Sequence, residues 1–241
     1  MNKRSGPAVR PGRSGDALRD RFLTKGSEGF SVPELLAVCL HSVAGEEREV
    51  LFCTHLLTAF GDLDGLLQAT VAELLQIRGM DTAKIAALKA VHELSLRGWE
   101  KAMQRSSVRC PQDAGVSMNS AQCASRYLQR RLAGLTHEVF GCLFLDTHHR
   151  LIQFEVLFQG SINRAPVYPR ELIRRSIELN AAAIVLSHNH PSGVAEPSLA
   201  DIELTRDLLE LMNRVDVQVL DHIIVARGQT VSLASRGLIT R

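Results

Sequence analysis

Hydrophobic positions recur with two different periods along this chain, and the change falls near its middle. Up to about residue 97 the period is helical. Leu18, Phe22 and Leu23 sit at helical spacing. Ser31 is placed to cap a helix that opens at Val32-Pro33-Glu34 and continues through Leu35, Leu36, Val38 and Leu40, proline being tolerated in a first turn. A longer helix is predicted over residues 46–60, ending at Gly61, and a short one over 63–67. Thr70, with Glu73 three residues on, predicts a capping box at the start of a helix over 71–77. Residues 82–97 read as an amphipathic helix with Ile85, Leu88, Val91 and Leu94 on one stripe.

Beyond residue 117 strands and helices alternate. A helix is predicted over 120–135, then an apolar strand over 139–145. The turn Asp146-Thr147-His148-His149-Arg150 joins it to a second strand over 151–158, making a hairpin. Pro169 opens a helix with Leu172, Ile173 and Ile177 inward. Residues 181–186 are wholly apolar, as expected of a buried central strand. Ser198 is placed to cap a helix over 199–213, and strands over 217–220, 223–226 and 230–234 close the chain around a turn at Gly228. Between the two regimes, residues 98–118 carry Lys101, Arg105, Ser106, Ser107, Arg109, Pro111 and Gly115 without a period, which reads as a linker. The chain thus divides into a flexible basic tail (1–15), a helical domain (16–98), a linker (99–116) and a mixed α/β domain (117–241).

Composition adds little to this picture and removes some alternatives. A length of 241 residues with 45% hydrophobic content supports real cores, and a net charge of +2 does not demand a nucleic-acid partner. No apolar run is long enough to span a bilayer, and the basic start (Lys3, Arg4, Arg10, Arg13) is not followed by a signal-type segment. The five cysteines are scattered and form no CxxC pair, which predicts reduced thiols in the cytoplasm and makes them poor zinc ligands.

The candidate chemistry is concentrated in Ser187-His188-Asn189-His190-Pro191-Ser192-Gly193-Val194-Ala195-Glu196-Pro197-Ser198-Leu199-Ala200-Asp201, directly after the apolar strand. Residues two apart in extended backbone share a face, so His188 and His190 can reach one ion at about 2.0–2.1 Å. Pro191, Gly193 and Pro197 turn the chain back, and Asp201, about one turn into the next helix, can aim its carboxylate at the same ion. Three protein ligands leave a fourth tetrahedral position open, the mark of a catalytic rather than a structural zinc site. A two-residue histidine spacing is weak alone; the joint pattern of buried strand, loop and capped helix carries the reading. Hydrolysis also needs a base. Glu138, at the start of the first hairpin strand, is the first choice, although Glu155 and Glu171 have comparable claims on position alone. His222 has no ligand position left to fill and reads as a structural or supporting histidine, and the adjacent His148 and His149 point apart.

These residues resemble the JAMM motif of MPN-domain metallopeptidases: His-x-His, seven residues, Ser, two residues, Asp, with His188, His190, Ser198 and Asp201 at every spacing. The wider context is similar to RadC-type (UPF0758) bacterial proteins, historically named as DNA repair proteins. The supporting segments are Glu138-Val139-Phe140-Gly141, Gly160-Ser161-Ile162-Asn163, Tyr168-Pro169-Arg170-Glu171, Leu179-Asn180-Ala181-Ala182-Ala183 and Leu220-Asp221-His222-Ile223-Ile224. The resemblance implies a deaminase-like α/β/α fold, one Zn2+ per chain on His188, His190 and Asp201, Glu138 as general acid/base, Ser198 as oxyanion stabiliser, and a peptide or isopeptide substrate.

In the helical half, Ile77-Arg78-Gly79-Met80-Asp81-Thr82-Ala83-Lys84-Ile85 resembles a helix-hairpin-helix element. Such hairpins hold DNA nonspecifically through backbone N–H groups on phosphate. Gly79 is present, but Asp81 occupies the position of the second glycine, which sets a carboxylate against phosphate; Arg78 and Lys84 partly offset it. A weak nonspecific DNA contact through residues 77–85 and a purely structural helical bundle both remain open.

Overall fold

The structure, a computed structural model, describes residues 17–40, 46–105, 120–160 and 167–239. The expected tail at 1–15, the expected linker from 106 to 116 and Ser161-Ile162-Asn163 lie outside the described residues. The chain divides between Val91 and His92 into two compact units.

The first unit is helical: α1 (Ala17–Lys25), α2 (Val32–Leu40), α3 (Glu46–Phe60), α4 (Leu63–Gln68), α5 (Val71–Leu75) and the start of α6 (Thr82–Arg105). Leu36, Leu40, Leu56, Leu66, Leu74 and Leu88 form its buried core. The residues expected to cap α2 and α5 bond into the first turns of those helices. Ser31 donates its N–H and hydroxyl to Glu34, both at 2.7 Å, and Thr70 and Glu73 form a reciprocal capping box.

The helix α6 corrects two expectations. It runs to Arg105, so residues 99–105 are helical rather than linker. Its buried stripe is Ile85, Leu88, Leu96, Trp99 and Met103, whereas Val91 and Leu94 are exposed, Leu94 by 68%. The steps 85, 88, 96, 99, 103 keep a helical period straight through Gly98, a residue that costs a helix about 1 kcal/mol without ending it. Lys101 and Arg105 belong to its wet face.

The second unit continues with α7 (Ser120–Leu132), β1 (Val139–Leu145), β2 (Leu151–Gln159), α8 (Pro169–Glu178), β3 (Ala183–Asn189), α9 (Leu199–Asn213), β4 (Gln218–Ala226) and β5 (Gln229–Ser232). The strands order β2-β1-β3-β4-β5; β3 and β4 are parallel, joined through α9, and the other pairs are antiparallel. Strand alternation gives each face its own core. Leu143, Val185, Ile223 and Val225 pack with α7 and with Trp99 and Met103 of α6. Phe140, Phe144, Ile184 and Leu186 pack with Leu172 of α8 and Leu208 and Met212 of α9. This is the expected α/β/α sandwich around a mixed sheet.

Local differences have local causes. The strands expected at 217–220 and 223–226 are one strand, β4, with a register shift opposite Ile184/Val185. The polar break at Asp221 is a buried carboxylate that accepts from the His222 and Ala234 N–H groups and from the Ser232 hydroxyl. In α8, Ile177 points outward, 63% exposed, and Ser176 is buried in its place, returning its hydroxyl to Leu172 O at 2.8 Å. Gly141 in β1 admits the Phe154 ring from β2, since a Cβ there would lie 2.9 Å from a ring carbon. Cys39, Cys53 and Cys142 are free thiols; Cys123 is disulfide-bonded, which departs from the expectation of reduced thiols throughout. No helix among the described residues is long and apolar enough to cross a membrane.

Candidate metal centre

The site forms where β3 ends. Ile184, Leu186 and His188 face the α8/α9 layer, and Ser187 and Asn189 face α7, because side chains alternate along a strand. His190 is the first residue past β3, and its N–H reaches Val225 O at 2.8 Å, which keeps the backbone extended. Both imidazoles therefore leave the sheet on one side. The chain then turns through Gly193, whose φ of +86° suits a residue without a side chain. The β4–β5 hairpin and the turn after it hold this loop: Gln229 donates to Gly193 O at 2.9 Å, and Arg236 pairs with Glu196 at 2.6 Å.

The loop delivers Ser198 as the N-cap of α9 and Asp201 as its third residue, in a capping box. Ser198 donates its N–H and its hydroxyl to Asp201 Oδ2, both at 2.7 Å, and the Asp201 N–H returns to Ser198 Oγ at 3.2 Å. The other carboxylate oxygen, Oδ1, lies 3.3 Å from His188 Nε2. The two imidazole Nε2 atoms are 2.9 Å apart. His188, His190 and Asp201 thus offer three ligand atoms within 4.8 Å of one another.

The donor chemistry fits a cation. His190 Nδ1 lies 2.8 Å from Val194 O, and a carbonyl only accepts, so Nδ1 carries the proton and Nε2 is a bare lone pair. Burial holds the His188 pKa down at about 4, against an ordinary 6.5, despite the attraction of Asp201, so His188 is neutral at pH 7. Electron-rich atoms from three neutral or anionic groups, converging from a strand, a loop and a helix cap, are a donor set that suits a borderline divalent ion.

Glu138 precedes β1. The β1/β3 register pairs Phe140 with His188, and its continuation sets Glu138 opposite His190 on the same sheet face. The backbone there is held from both sides: Gly160 N–H donates to Glu138 O at 2.8 Å, and Val139 N–H donates to Asn189 Oδ1 at 2.8 Å. The Asn189 amide also donates to His137 O at 3.1 Å. Asn189, only 1% exposed, is a site residue that sequence reasoning missed. Its signal was a buried amide between two histidines, on the opposite face of the strand. Of the other two carboxylates the sequence offered, Glu155 pairs with Arg175 and Glu171 with Arg174. His148 and His149 sit in the exposed β1–β2 turn, away from the site.

His222, on β4, is fully buried beside His188. Its Nε2 lies 2.8 Å from His188 Nδ1, and its Nδ1 lies 2.6 Å from the hydroxyl of Thr205, one turn past Asp201. Burial, reinforced by the two neighbouring histidines, pushes its pKa well below the ordinary value. Thr205 also went unnoticed in the sequence, where nothing distinguishes it from other helical threonines.

Comparison with known proteins identifies relatives along nearly the whole chain. Residues 118–238 match the family model of the RadC-like JAB domain, and residues 13–86 match that of the UPF0758 N-terminal region. The UPF0758 protein of Methylibium petroleiphilum is 45% identical over 221 residues, covering 92% of this chain and 96% of that protein. The UPF0758 protein of Azotobacter vinelandii is 43% identical over 229 residues, covering 95% and 98%. With a RadC-like domain matched over its second half and relatives of this identity along nearly its whole length, the chain belongs to the RadC-like UPF0758 family.

Proposed function

We propose that this protein is a zinc-dependent hydrolase of amide bonds, a metallopeptidase or isopeptidase. The observation that carries the reading is the convergence of His188, His190 and Asp201 within 4.8 Å, on the sheet face that Glu138 shares. A Zn2+ held by these three residues would supply Lewis acidity, polarising a carbonyl and bringing the pKa of a water toward about 7. Glu138 takes the proton of the attacking water and returns it to the leaving amine. The Asn189 clamp and the Gly160 bond fix the backbone from which Glu138 projects. Ser198 gives its proton to Asp201 Oδ2, so orienting that ligand is its resident role; serving an oxyanion requires that bond to be released.

A second reading, DNA association through residues 77–85, has the local geometry against it. Asp81 accepts the Lys84 N–H at 2.8 Å, so its carboxylate fills the place a phosphate would take at the start of α6. The Lys84 ammonium is itself engaged, 3.2 Å from Gly79 O and 3.3 Å from Glu49. These contacts favour a structural bundle.

The test is metal content followed by turnover. Protein purified without chelator should hold close to one zinc per chain, lost in His188→Ala. Amide hydrolysis, found with substrates captured by Glu138→Gln, should vanish in that variant while its zinc is retained. A wild-type protein that takes up no zinc would sink the reading.

A further inference from the structure

We propose that Thr205 and His222 form a hydrogen-bond relay that fixes the tautomer of His188 and so makes its Nε2 available to a metal. This rests on the metal reading above and names two positioning residues for it.

The direction of the relay follows from its anchored end. Asp201 O can only accept, and Thr205 Oγ1 lies 2.5 Å from it, so the single hydroxyl proton lies between them. Toward His222 Nδ1, 2.6 Å away, Thr205 is then an acceptor, and Nδ1 must carry a hydrogen. The ring of His222 has Thr205 and His188 as its polar partners and Phe140 edge-on; Asp221 is bonded to its backbone N–H instead. A second ring proton would be a charge sealed at 0% exposure, with no counter-ion against the ring among the described residues. His222 Nε2 is therefore bare and accepts from His188 Nδ1 at 2.8 Å. That leaves the lone pair of His188 on Nε2, the atom 2.9 Å from His190 Nε2 and 3.3 Å from Asp201 Oδ1.

Reversal shows what the relay controls. Were His222 to donate from Nε2, neutral His188 would carry its proton on its own Nε2 and could not bind an ion through it. Asp201 stands at both ends of the loop: its backbone carbonyl anchors the proton order, and its carboxylate faces the nitrogen that this order leaves bare. His190 reaches the same tautomer by a shorter route, through Val194 O.

The experiment measures zinc dissociation constants by competition with a chromophoric chelator, and histidine tautomers in the metal-free protein by two-bond 1H–15N correlation. Thr205→Val keeps the shape and removes the anchor; it should weaken zinc about 10- to 100-fold, the range for lost outer partners of a ligand histidine. It should also mix the His188 tautomers, and Thr205→Ser should restore both. His222→Gln, which keeps an acceptor near the Nε2 position, should retain more affinity than His222→Leu, with folding of each variant checked by thermal melting. Zinc binding by the wild type with no change in affinity or tautomer in Thr205→Val would overturn the relay, as would a wild-type His188 protonated at Nε2. A wild type that binds no zinc, yet shows the Nδ1–H tautomer lost in Thr205→Val, would overturn the metal reading and leave the relay standing.

Discussion

Asp81 at the start of α6 and Asp201 in the first turn of α9 meet the same local field, a helix N-terminus with unpaired N–H groups. Their surroundings differ. Asp81 accepts from its own helix at Lys84 N–H, and the Lys84 side chain is closed off by Gly79 O, Glu49 and the Phe52 ring. Asp201 gives one oxygen to Ser198, and its other faces the Nε2 of a buried histidine from a different element. A capping carboxylate is thus structural when its contacts begin and end within its own turn. It becomes a ligand candidate when long-range packing brings a second donor to it.

The sharpest way to break this contrast is to truncate both. If the proposed metal site holds, Asp201→Ala should reduce zinc content to background, because it removes a candidate ligand and the capping box together. Asp81→Ala should leave zinc content unchanged and cost about 1 kcal/mol in thermal or denaturant unfolding, the usual worth of an N-cap. Zinc loss in both variants would mean that the two aspartates are not different in kind.

A smaller effect separates the two units by pH. His188 is held by burial at about 4 and His222 also lies well below 6.5, so between pH 6.5 and 4 the unfolded chain binds protons that the folded metal-free protein refuses. Stability therefore rises with pH through this window and is lost as pH falls across it. In the first unit, the Ser31 N–H and hydroxyl, with Arg21, hold the Glu34 carboxyl at about 2, below its ordinary 4.5. That contribution is complete above pH 4.5 and disappears only as pH approaches 2. Trp99, the single tryptophan, lies in the core of the second unit. On acidification of metal-free protein its fluorescence should change between pH 6.5 and 4, while amide protection in α2 and α3 persists. Loss of both signals together, below pH 4, would erase the difference.

Most of the secondary structure and the three ligand candidates were legible because their signals are short in sequence. A capping box spans four residues, a His-x-His pair three, and the apolar strand β1 seven. The misread positions depend on partners far along the chain. Leu94 continues a plausible stripe, but the core that covers α6 is built from Leu96, Trp99 and Met103 against strands beyond residue 139. Ser176 is buried in place of Ile177 because its hydroxyl has an acceptor one turn back. Asn189 and Thr205 act through contacts 52 and 17 residues away. Glu138 led Glu155 and Glu171 only slightly by its place at a strand start and more clearly by resemblance; which sheet face it shares depends on strand register, set by residues some fifty positions away.

The smallest expected effect concerns the hairpin. Asp81→Gly removes the carboxylate from the start of α6 and supplies the second glycine of a helix-hairpin-helix, at a stability change of a few tenths of a kcal/mol. If that charge were the only obstacle, the variant would gain salt-dependent affinity for single-stranded DNA. Lys84 remains bound to Glu49 and Gly79 O in the variant, which leaves the exposed Arg78 as the one basic side chain of residues 77–85 able to turn to a phosphate, too little charge to hold DNA. We therefore expect neither protein to retain DNA at low ionic strength in a gel-shift titration. Binding by Asp81→Gly but not by wild type would reduce the contrast between the two aspartates to one carboxylate. Binding by both would show that the first unit has a ligand despite its closed cap.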